Sequence, residues 1–211
     1  MYRWYLTMLP VVPGVKSRRE EYSAATRQAL LDSATELFAE RGYARTSLDE
    51  IAAGARVTKG ALYGHFRSKQ ALFRAVLHQL EAATTAEVQR AVEAAPTLWD
   101  GVRAGLDAFL RACCDTVYGT VVMREAPIAL PYAEWVAAEE LHSYRLVLGL
   151  IQTLIDAGEI EPLPLEPAAR IVHAIVGAAA QLIASAEPAD QARAFEDARA
   201  VVLRLAEGIR R

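Results

Sequence analysis

The sequence lacks the features that mark secreted, metal-binding and membrane-spanning proteins. Among its 211 residues are two cysteines, the adjacent Cys113 and Cys114. They cannot build a disulfide framework, and they do not have the spacing of metal ligands. No run approaches the roughly 20 uninterrupted apolar residues that a membrane-spanning helix needs. We find no internal repeat, low-complexity tract or long β-branched alternation. These absences favour an all-α protein of a reducing cytoplasm, with no metal, cofactor or membrane partner.

Charge is distributed unevenly along the chain, whose formal net charge is −3. Residues 16–80 hold 11 Lys or Arg against 7 Asp or Glu, whereas residues 81–211 hold 11 against 19. A local excess of positive charge is what binding to phosphates requires. We therefore expect the first of these segments, and not the acidic remainder, to contact nucleic acid.

Residues 46–69 are the most informative part of the sequence. Ser47 followed by Glu50 forms an S-x-x-E capping box, which predicts the start of a short helix. After a tight turn, Thr58 is placed to cap a second short helix, Lys59 to about His65. Two short helices joined in this way are the layout with which a helix-turn-helix enters the DNA major groove.

The outward groups of the second helix suit contact with DNA. Lys59 is long enough to reach a guanine edge or a phosphate, and Gly60 and Ala61 let the backbone approach the base edges. The Tyr63 hydroxyl and the His65 ring suit phosphate contacts, which fix position without carrying sequence information directly. Any one of these residues alone could be an ordinary surface residue. All of them together at these spacings indicate a function.

This segment resembles the N-terminal domain of the TetR family of transcriptional repressors. The likeness covers residues 29–77; residues 57–69 match the recognition-helix pattern, and residues 38–43 match the end of the first helix. The resemblance implies a homodimer that binds double-stranded DNA at a palindromic operator and is released by a small hydrophobic or amphipathic effector. The candidate DNA-binding residues are Thr46, Ser47, Thr58, Lys59, Gly60, Ala61, Tyr63, Gly64, His65 and Lys69.

Two positions depart from the family pattern. Arg56 stands in the turn where the family often has glycine, so a left-handed backbone there would bear a modest strain. Gly64 stands where the family often has a large aromatic residue, which removes one contact and costs the short helix some stability. Both departures concern the affinity for DNA and the operator sequence that the protein recognises.

The chain is predicted to be all-α, with an N-terminal three-helix helix-turn-helix domain and a C-terminal helical ligand-binding and dimerisation domain. Residues 1–22 are expected to be a flexible extension; alternatively Lys16, Arg18 and Arg19 form a basic arm that reaches the adjacent minor groove. Residues 23–80 form the DNA-binding domain, called the reading head below. Residues 81–211 form the effector-binding and dimerisation domain, called the helical domain.

Apolar spacing predicts long helices beyond the recognition helix. We expect a long helix from 69 to about 94, which begins in the reading head, continues out of it and is called the lever below. A helix from 98 to about 116 should follow. An irregular stretch broken by Pro127 and Pro131 should follow, then a single long helix from 132 to 157 that stops at Gly158. Two last helices, 166–186 and 190–210, are apolar enough to pair with their copies in a twofold dimer.

The helical domain is implied by the resemblance to enclose an effector pocket. For most of its aromatic residues ordinary core is the favoured interpretation, and for its histidines a satisfied core or interface position is favoured. The pocket candidates are Trp99, Phe109, Cys113, Tyr118, Met123, Tyr132, Trp135, His142 and His173. The dimer-interface candidates are Ile171, Ile175, Ala178, Leu182, Val201, Val202 and Leu205.

Three functions compete at this point. The first is an effector-released repressor, and the second is a regulator of the same fold gated by a protein partner or by redox chemistry. The third is an enzyme that uses Cys113 or Cys114 with His142 or His173. The sequence has no nucleophile motif, no metal-ligand spacing and no Gly-rich phosphate loop, so the enzyme is the most distant of the three.

Overall fold

The computed structural model describes residues 18–210, apart from the side chains of residues 139 and 140, and this part of the chain is all-α. A short π-helix, Gly119–Glu125, lies between α6 and α7. The α-helices are α1 (Arg18–Arg45), α2 (Leu48–Gly54), α3 (Lys59–His65), α4 (Lys69–Glu93), α5 (Leu98–Cys114), α6 (Thr116–Tyr118), α7 (Ala126–Ala129), α8 (Tyr132–Leu141), α9 (Ser143–Asp156), α10 (Leu165–Ser185) and α11 (Gln191–Glu207).

The first helix begins earlier than predicted. Residues 18–22 belong to α1, so the expected flexible extension does not reach residue 22. Glu20 and Glu21 lie in the first turn, where negative charge complements the helix dipole. Of the predicted basic arm, Arg18 and Arg19 are therefore helical, and Lys16 lies outside the described residues.

Helix α4 connects the reading head to the helical domain, as predicted. Ser68 Oγ accepts the Ala71 amide at 3.1 Å and so fixes the start of the helix. Its inner face includes the buried Phe73, and the helix continues past residue 80 to Glu93. One hydrophobic cluster extends across that boundary, from Phe38 of α1 to Ile183 of α10. The two parts therefore share a core along the lever.

The middle of the helical domain differs from the prediction. The helix expected over 98–116 ends at Cys114, because Asp115 is extended and caps α6 instead. The stretch expected to be irregular is helical, since Pro127 lies in the first turn of α7, where a missing amide is tolerated. The single helix expected over 132–157 is interrupted at His142, whose backbone (φ −114°, ψ −83°) is not helical.

The last two helices close the helical domain. Helix α10 packs against α5, α9, α11 and the π-helix. It is also the one helix of the described chain that is long and apolar enough to cross a membrane by length and composition. Gly158, at φ 72°, follows the end of α9 as predicted, and Ile160 forms an isolated antiparallel bridge with Arg210.

Candidate nucleic-acid interface

The capping box at the start of α2 is present. Ser47 Oγ accepts the Glu50 amide at 3.2 Å, and Glu50 Oε2 accepts the Ser47 amide at 2.9 Å and the Ser47 hydroxyl at 2.7 Å. The Ser47 side-chain and backbone hydrogen bonds lower the pKa of Glu50. The box turns Ile51 and Ala52 towards the core. To donate to a phosphate, the Ser47 hydroxyl would have to turn away from Glu50.

Helix α3 has a buried side and an exposed side, and the predicted contact Ala61 is half-buried. Thr58 Oγ1 accepts the Ala61 amide at 3.2 Å and fixes the start of the helix. Leu62 and Phe66 are buried, and His65 is half-buried. The exposed residues of the helix are Lys59, Gly60, Tyr63 and Gly64. The exposure that DNA contact requires is therefore present at these four positions.

The turn between the two helices contains a strained residue. Arg56 has φ 55°, in the left-handed region where glycine is favoured. The Arg56 amide donates to the Ala53 carbonyl at 3.1 Å, and the Val57 amide donates to the Ala52 carbonyl at 3.0 Å. These bonds hold the turn closed against a backbone cost of about 1–2 kcal/mol.

Lys59 forms an ion pair that the sequence prediction did not include. Its Nζ lies 2.8 Å from Asp49 Oδ1, and both side chains are exposed. The hydrogen bond and the charge of Asp49 raise the pKa of Lys59, so the amine stays cationic. A solvated surface pair exchanges readily. Lys59 can therefore leave Asp49 for DNA, but the Asp49 carboxylate then faces the same DNA.

Two predicted DNA contacts are held inside the reading head. Lys69 Nζ donates to the Tyr43 carbonyl at 2.8 Å and to the Thr46 carbonyl at 3.0 Å, and it lies 4.3 Å from the centre of the Tyr43 ring. Thr46 is buried, and its hydroxyl donates to the Gly42 carbonyl at 2.9 Å. In this arrangement neither group is free to take a phosphate. They join the end of α1 to the start of α4 instead.

Further cations lie on the surface of the reading head outside the predicted set. Arg41 pairs with Glu50 at 3.1 Å, and Arg45 donates to the Arg41 carbonyl at 2.8 Å. Arg67, directly after α3, is exposed. The excess of positive charge over residues 16–80 was the only sequence signal for these residues.

The predicted effector residues do not lie in one place. A first group belongs to the hydrophobic cluster shared with the reading head or packs against it: Phe109, Cys113, Tyr118, Met123 and Trp135. Within this group, the Phe109 and Tyr118 rings meet edge to face at 6.5 Å. Tyr132 is 76% exposed, with its ring 5.9 Å from that of Trp135.

The remaining effector candidates lie elsewhere in the helical domain. Trp99 is buried in a second cluster and donates its indole N–H to Glu159 at 3.0 Å. His173 Nε2 lies 2.9 Å from Ser143 Oγ, and burial together with the charge of Arg170 lowers the pKa of His173.

His142, at the break between α8 and α9, meets the His78 ring of α4 edge to face at 4.6 Å. Its Nε2 is buried without a hydrogen-bond partner. Desolvation, followed by the neighbouring His78, lowers the pKa of His142. This histidine therefore packs against the lever.

A groove of about 520 Å³ lies open to solvent between α4 and α5. Alanines of both helices line it, together with Glu87, Asp107 and Arg111. None of the predicted effector residues lines this groove. The effector pocket therefore stays a prediction.

The predicted dimer residues lie on a largely exposed apolar surface, called the α10–α11 face below. Four of its large side chains are more than half exposed: Ile171 at 61%, Leu182 at 66%, Val201 at 58% and Leu205 at 53%. Ala178 is also exposed, and Ile175 and Val202 are half-buried. Large apolar side chains exposed on two packed helices are typical of an interaction site.

The two cysteines are poor nucleophiles in this fold. Cys113 is fully buried, and burial raises the pKa of its thiol to about 12. Burial also raises the pKa of the half-buried Cys114, whose thiol donates to the Leu110 carbonyl at 3.5 Å. Because the thiolate is the reactive form, neither residue is prepared for catalysis.

The fold and the helix-turn-helix define a class of protein, and comparison with known families assigns it. Residues 30–76 match the family described as "Bacterial regulatory proteins, tetR family". Residues 99–209 match "Tetracyclin repressor-like, C-terminal domain". Together these matches cover both the reading head and the helical domain. The chain belongs to the TetR family of DNA-binding transcriptional regulators, which are not enzymes.

Individual relatives agree with this assignment. The Transposon Tn10 TetC protein of Escherichia coli is 28% identical over 141 residues, which are 67% of this chain and 69% of TetC. A TetR-family transcriptional regulator from Pectobacterium atrosepticum superposes with a TM-score of 0.77 at 28% identity, over 92% of this chain and 98% of that one. FadR of Bacillus subtilis, solved with stearoyl-CoA, superposes with a TM-score of 0.71 at 17% identity, over 84% and 96%.

Proposed function

We propose that the protein is a homodimeric repressor that binds a palindromic operator in the cytoplasm and leaves it when a small hydrophobic or amphipathic effector binds the helical domain. The observation that carries the proposal is the outer side of α3, where Lys59, Gly60 and Tyr63 are exposed next to a capped helix start. A helix presented in this way can enter the major groove, with base edges within reach of its N-terminal residues.

The α10–α11 face supports the homodimer. A twofold axis at this face would place its residues against their own copies, as an isologous interface requires. The small Ala178 would allow the two copies of α10 to approach closely. A dimer presents two reading heads about one DNA turn apart, roughly 34–36 Å, which matches a palindrome.

The shared core along the lever supports the proposed release by an effector. Phe73 and Val76 of α4 lie in the same cluster as Tyr118 and Val121 of the helical domain. A ligand that prefers one packing of this cluster would bias the position of α4, and with it the separation of the heads. The stearoyl-CoA in FadR is an amphipathic ligand of a protein of this fold, which supports that chemical class here.

Redox gating is the weaker alternative for this chain. It would need a reactive thiolate, and the pKa of Cys113 is raised to about 12. We therefore rank an effector above redox chemistry.

The direct test is DNA selection by the full-length protein from a random-sequence pool, followed by fluorescence anisotropy on the selected sequence. We expect a palindrome, and we expect affinity to fall steeply with salt because phosphate contacts release counterions. Lys59→Ala and Tyr63→Ala should each weaken binding by about tenfold or more.

Arg193→Ala is the matched control for Lys59→Ala, because Arg193 is an exposed cation of α11 paired with Asp197. It should leave the affinity unchanged. Binding that ignores DNA sequence, or that responds equally to all three substitutions, would contradict the proposal.

A further inference from the structure

A single carboxylate of the helical domain holds the backbone of the reading head. Glu125 is the last residue of the π-helix, and its Oε2 accepts the amide N–H of Tyr43 at 2.7 Å. Tyr43 lies in the last turns of α1, close to the start of α2. The bond therefore joins two parts of the chain that are 82 residues apart.

The backbone on the head side is built to receive this carboxylate. Gly42 interrupts α1 with φ 77° and ψ 165°, a conformation that side chains with a Cβ rarely adopt. A Cβ added at Gly42 would lie 2.9 Å from Glu125 Oε1, so the carboxylate would have to shift from its present position. Glycine is thus favoured here by the backbone angle, and it leaves room for the Glu125 carboxylate in its present position.

Through Lys69, Tyr43 is connected to the starts of α2 and α4, the two helices that flank α3 in the sequence. Its carbonyl accepts from Lys69 Nζ at 2.8 Å, at the first residue of α4. Lys69 Nζ also donates to the Thr46 carbonyl at 3.0 Å, directly before Ser47, the cap of α2. A displacement of Tyr43 therefore reaches α2 and α4 through two hydrogen-bonded residues.

The other side of the π-helix is bonded to the helix of the proposed dimer interface. Gln181 Nε2, on α10, donates to the Met123 carbonyl at 2.7 Å. Gln181 precedes Leu182, a residue of the α10–α11 face. The π-helix is thus attached to α10 through Met123 and to the reading head through Glu125.

A π-helix differs from an α-helix by one residue in its hydrogen-bonding register, and single-turn π segments occur frequently at functional sites. A return to α-helical register would turn the residue at its end by about 100° around the axis. Such a turn would carry the Glu125 carboxylate away from Tyr43. The arrangement seen here has the Glu125–Tyr43 bond, and an α-helical arrangement of the same segment would lack it.

We propose that Glu125 is the positioning residue that couples the helical domain to the reading head, and that its bond to the Tyr43 amide holds the DNA-binding arrangement of α2 and α4. The proposal rests on the proposed function, since it names the contact through which that function is regulated. Release of this bond is the step by which a changed packing around α10 and the π-helix lowers operator affinity.

The test is a double-mutant cycle on the full-length protein with Glu125→Ala, Gln181→Ala and the double variant. Operator affinity is measured by anisotropy on DNA selected by the wild-type protein, and amide hydrogen exchange is followed on the peptide that contains Tyr43. We expect Glu125→Ala to speed exchange there and to weaken operator binding, each by about tenfold. Gln181→Ala should weaken binding less, and should add nothing in the Glu125→Ala background, because both act through one element.

Two further variants separate coupling from a merely structural role. Glu125→Gln keeps an acceptor oxygen and should stay within about threefold of wild type in both measurements. Glu159→Ala removes a similar tertiary acceptor, the partner of the Trp99 indole, far from the reading head. It should change neither Tyr43 exchange nor operator affinity, and sedimentation should show that Gln181→Ala keeps the oligomeric state of the wild type.

The outcomes distinguish this inference from the proposed function. If the wild-type protein selects no DNA sequence, the proposed function fails, while the exchange measurement still reports on the Glu125–Tyr43 bond. If the wild type binds its operator, and Glu125→Ala leaves both exchange and affinity unchanged, the inference is overturned. Strictly additive effects of Glu125→Ala and Gln181→Ala on operator affinity would overturn it as well.

Discussion

The reading head and the last helices of the helical domain begin their helices in different ways. In the head, α2, α3 and α4 each start at a hydroxyl residue, Ser47, Thr58 or Ser68, that accepts a backbone amide of its own helix. At α9, α10 and α11 no side chain makes such a bond. Residues next to each helix start therefore determine where α2, α3 and α4 begin. Contacts with distant parts of the chain determine where α9, α10 and α11 begin.

The two regions also leave different chemistry on their surfaces. The head exposes Lys59 and Tyr63 on a short helix whose inner side is complete. The helical domain exposes Ile171, Leu182 and Val201, which are large and apolar. The comparison teaches that the molecule exposes polar groups where the proposed DNA contact lies and apolar groups where the proposed dimer contact lies.

The largest effect should come from a charge on the α10–α11 face. Leu182 is 66% exposed, so Leu182→Glu should change the free energy of unfolding of one chain by no more than about 0.5 kcal/mol. In a dimer the same carboxylate would be buried without a partner. We expect sedimentation to show monomers, and operator affinity to fall by more than about 100-fold because one head binds alone.

Ile128→Glu is the matched control for this prediction. Ile128 of α7 is an apolar residue that is 82% exposed but does not belong to the α10–α11 face. It should leave the oligomeric state as in the wild type. Dissociation by Ile128→Glu, together with an intact Leu182→Glu dimer, would place the interface elsewhere.

A smaller effect should distinguish the capped helices from the uncapped ones. Thr58→Ala removes the acceptor of the Ala61 amide and should lower the free energy of unfolding by about 1 kcal/mol. Asp190→Ala, at the start of α11, removes no such bond and should cost less than about 0.5 kcal/mol. Urea unfolding of both variants measures the difference, and equal costs would refute the contrast between the two regions.

The smallest effect should come from the strained turn of the head, and it has the opposite sign. Arg56→Gly relieves the left-handed backbone and should raise the free energy of unfolding by up to about 1 kcal/mol. Arg56→Ala retains a Cβ and should bring no such gain, so it serves as the control. A matching gain from both variants would show that the charge of Arg56, and not its backbone, carries the cost.

The same contrast between local and distant contacts explains how much of this fold the sequence predicts. Serine and threonine caps are local signals, so the starts of α2, α3 and α4 fell where the sequence placed them. The stop near Gly158 was also local, because a positive φ there favours glycine. Apolar spacing predicted the lever and the last two helices. The family resemblance is confirmed by the matches over residues 30–76 and 99–209.

What could not be predicted depends on contacts from distant parts of the chain. The break at His142 occurs without proline or glycine and lies where that ring meets His78 of α4. The π-helix has no sequence signature either, and its last residue, Glu125, binds an amide 82 residues away. Lys69 was expected on DNA from the family resemblance, and its bond to the Tyr43 carbonyl could not be predicted because Tyr43 belongs to another helix.

The most direct test of the account is the stoichiometry and affinity of full-length protein on its selected operator, compared with a duplex that retains only one half-site. We predict two chains on the palindrome, and a loss of affinity of about 100-fold or more on the half-site duplex. One chain bound equally tightly to either duplex would contradict the central claim that two copies of this reading head, joined at the α10–α11 face, recognise DNA together.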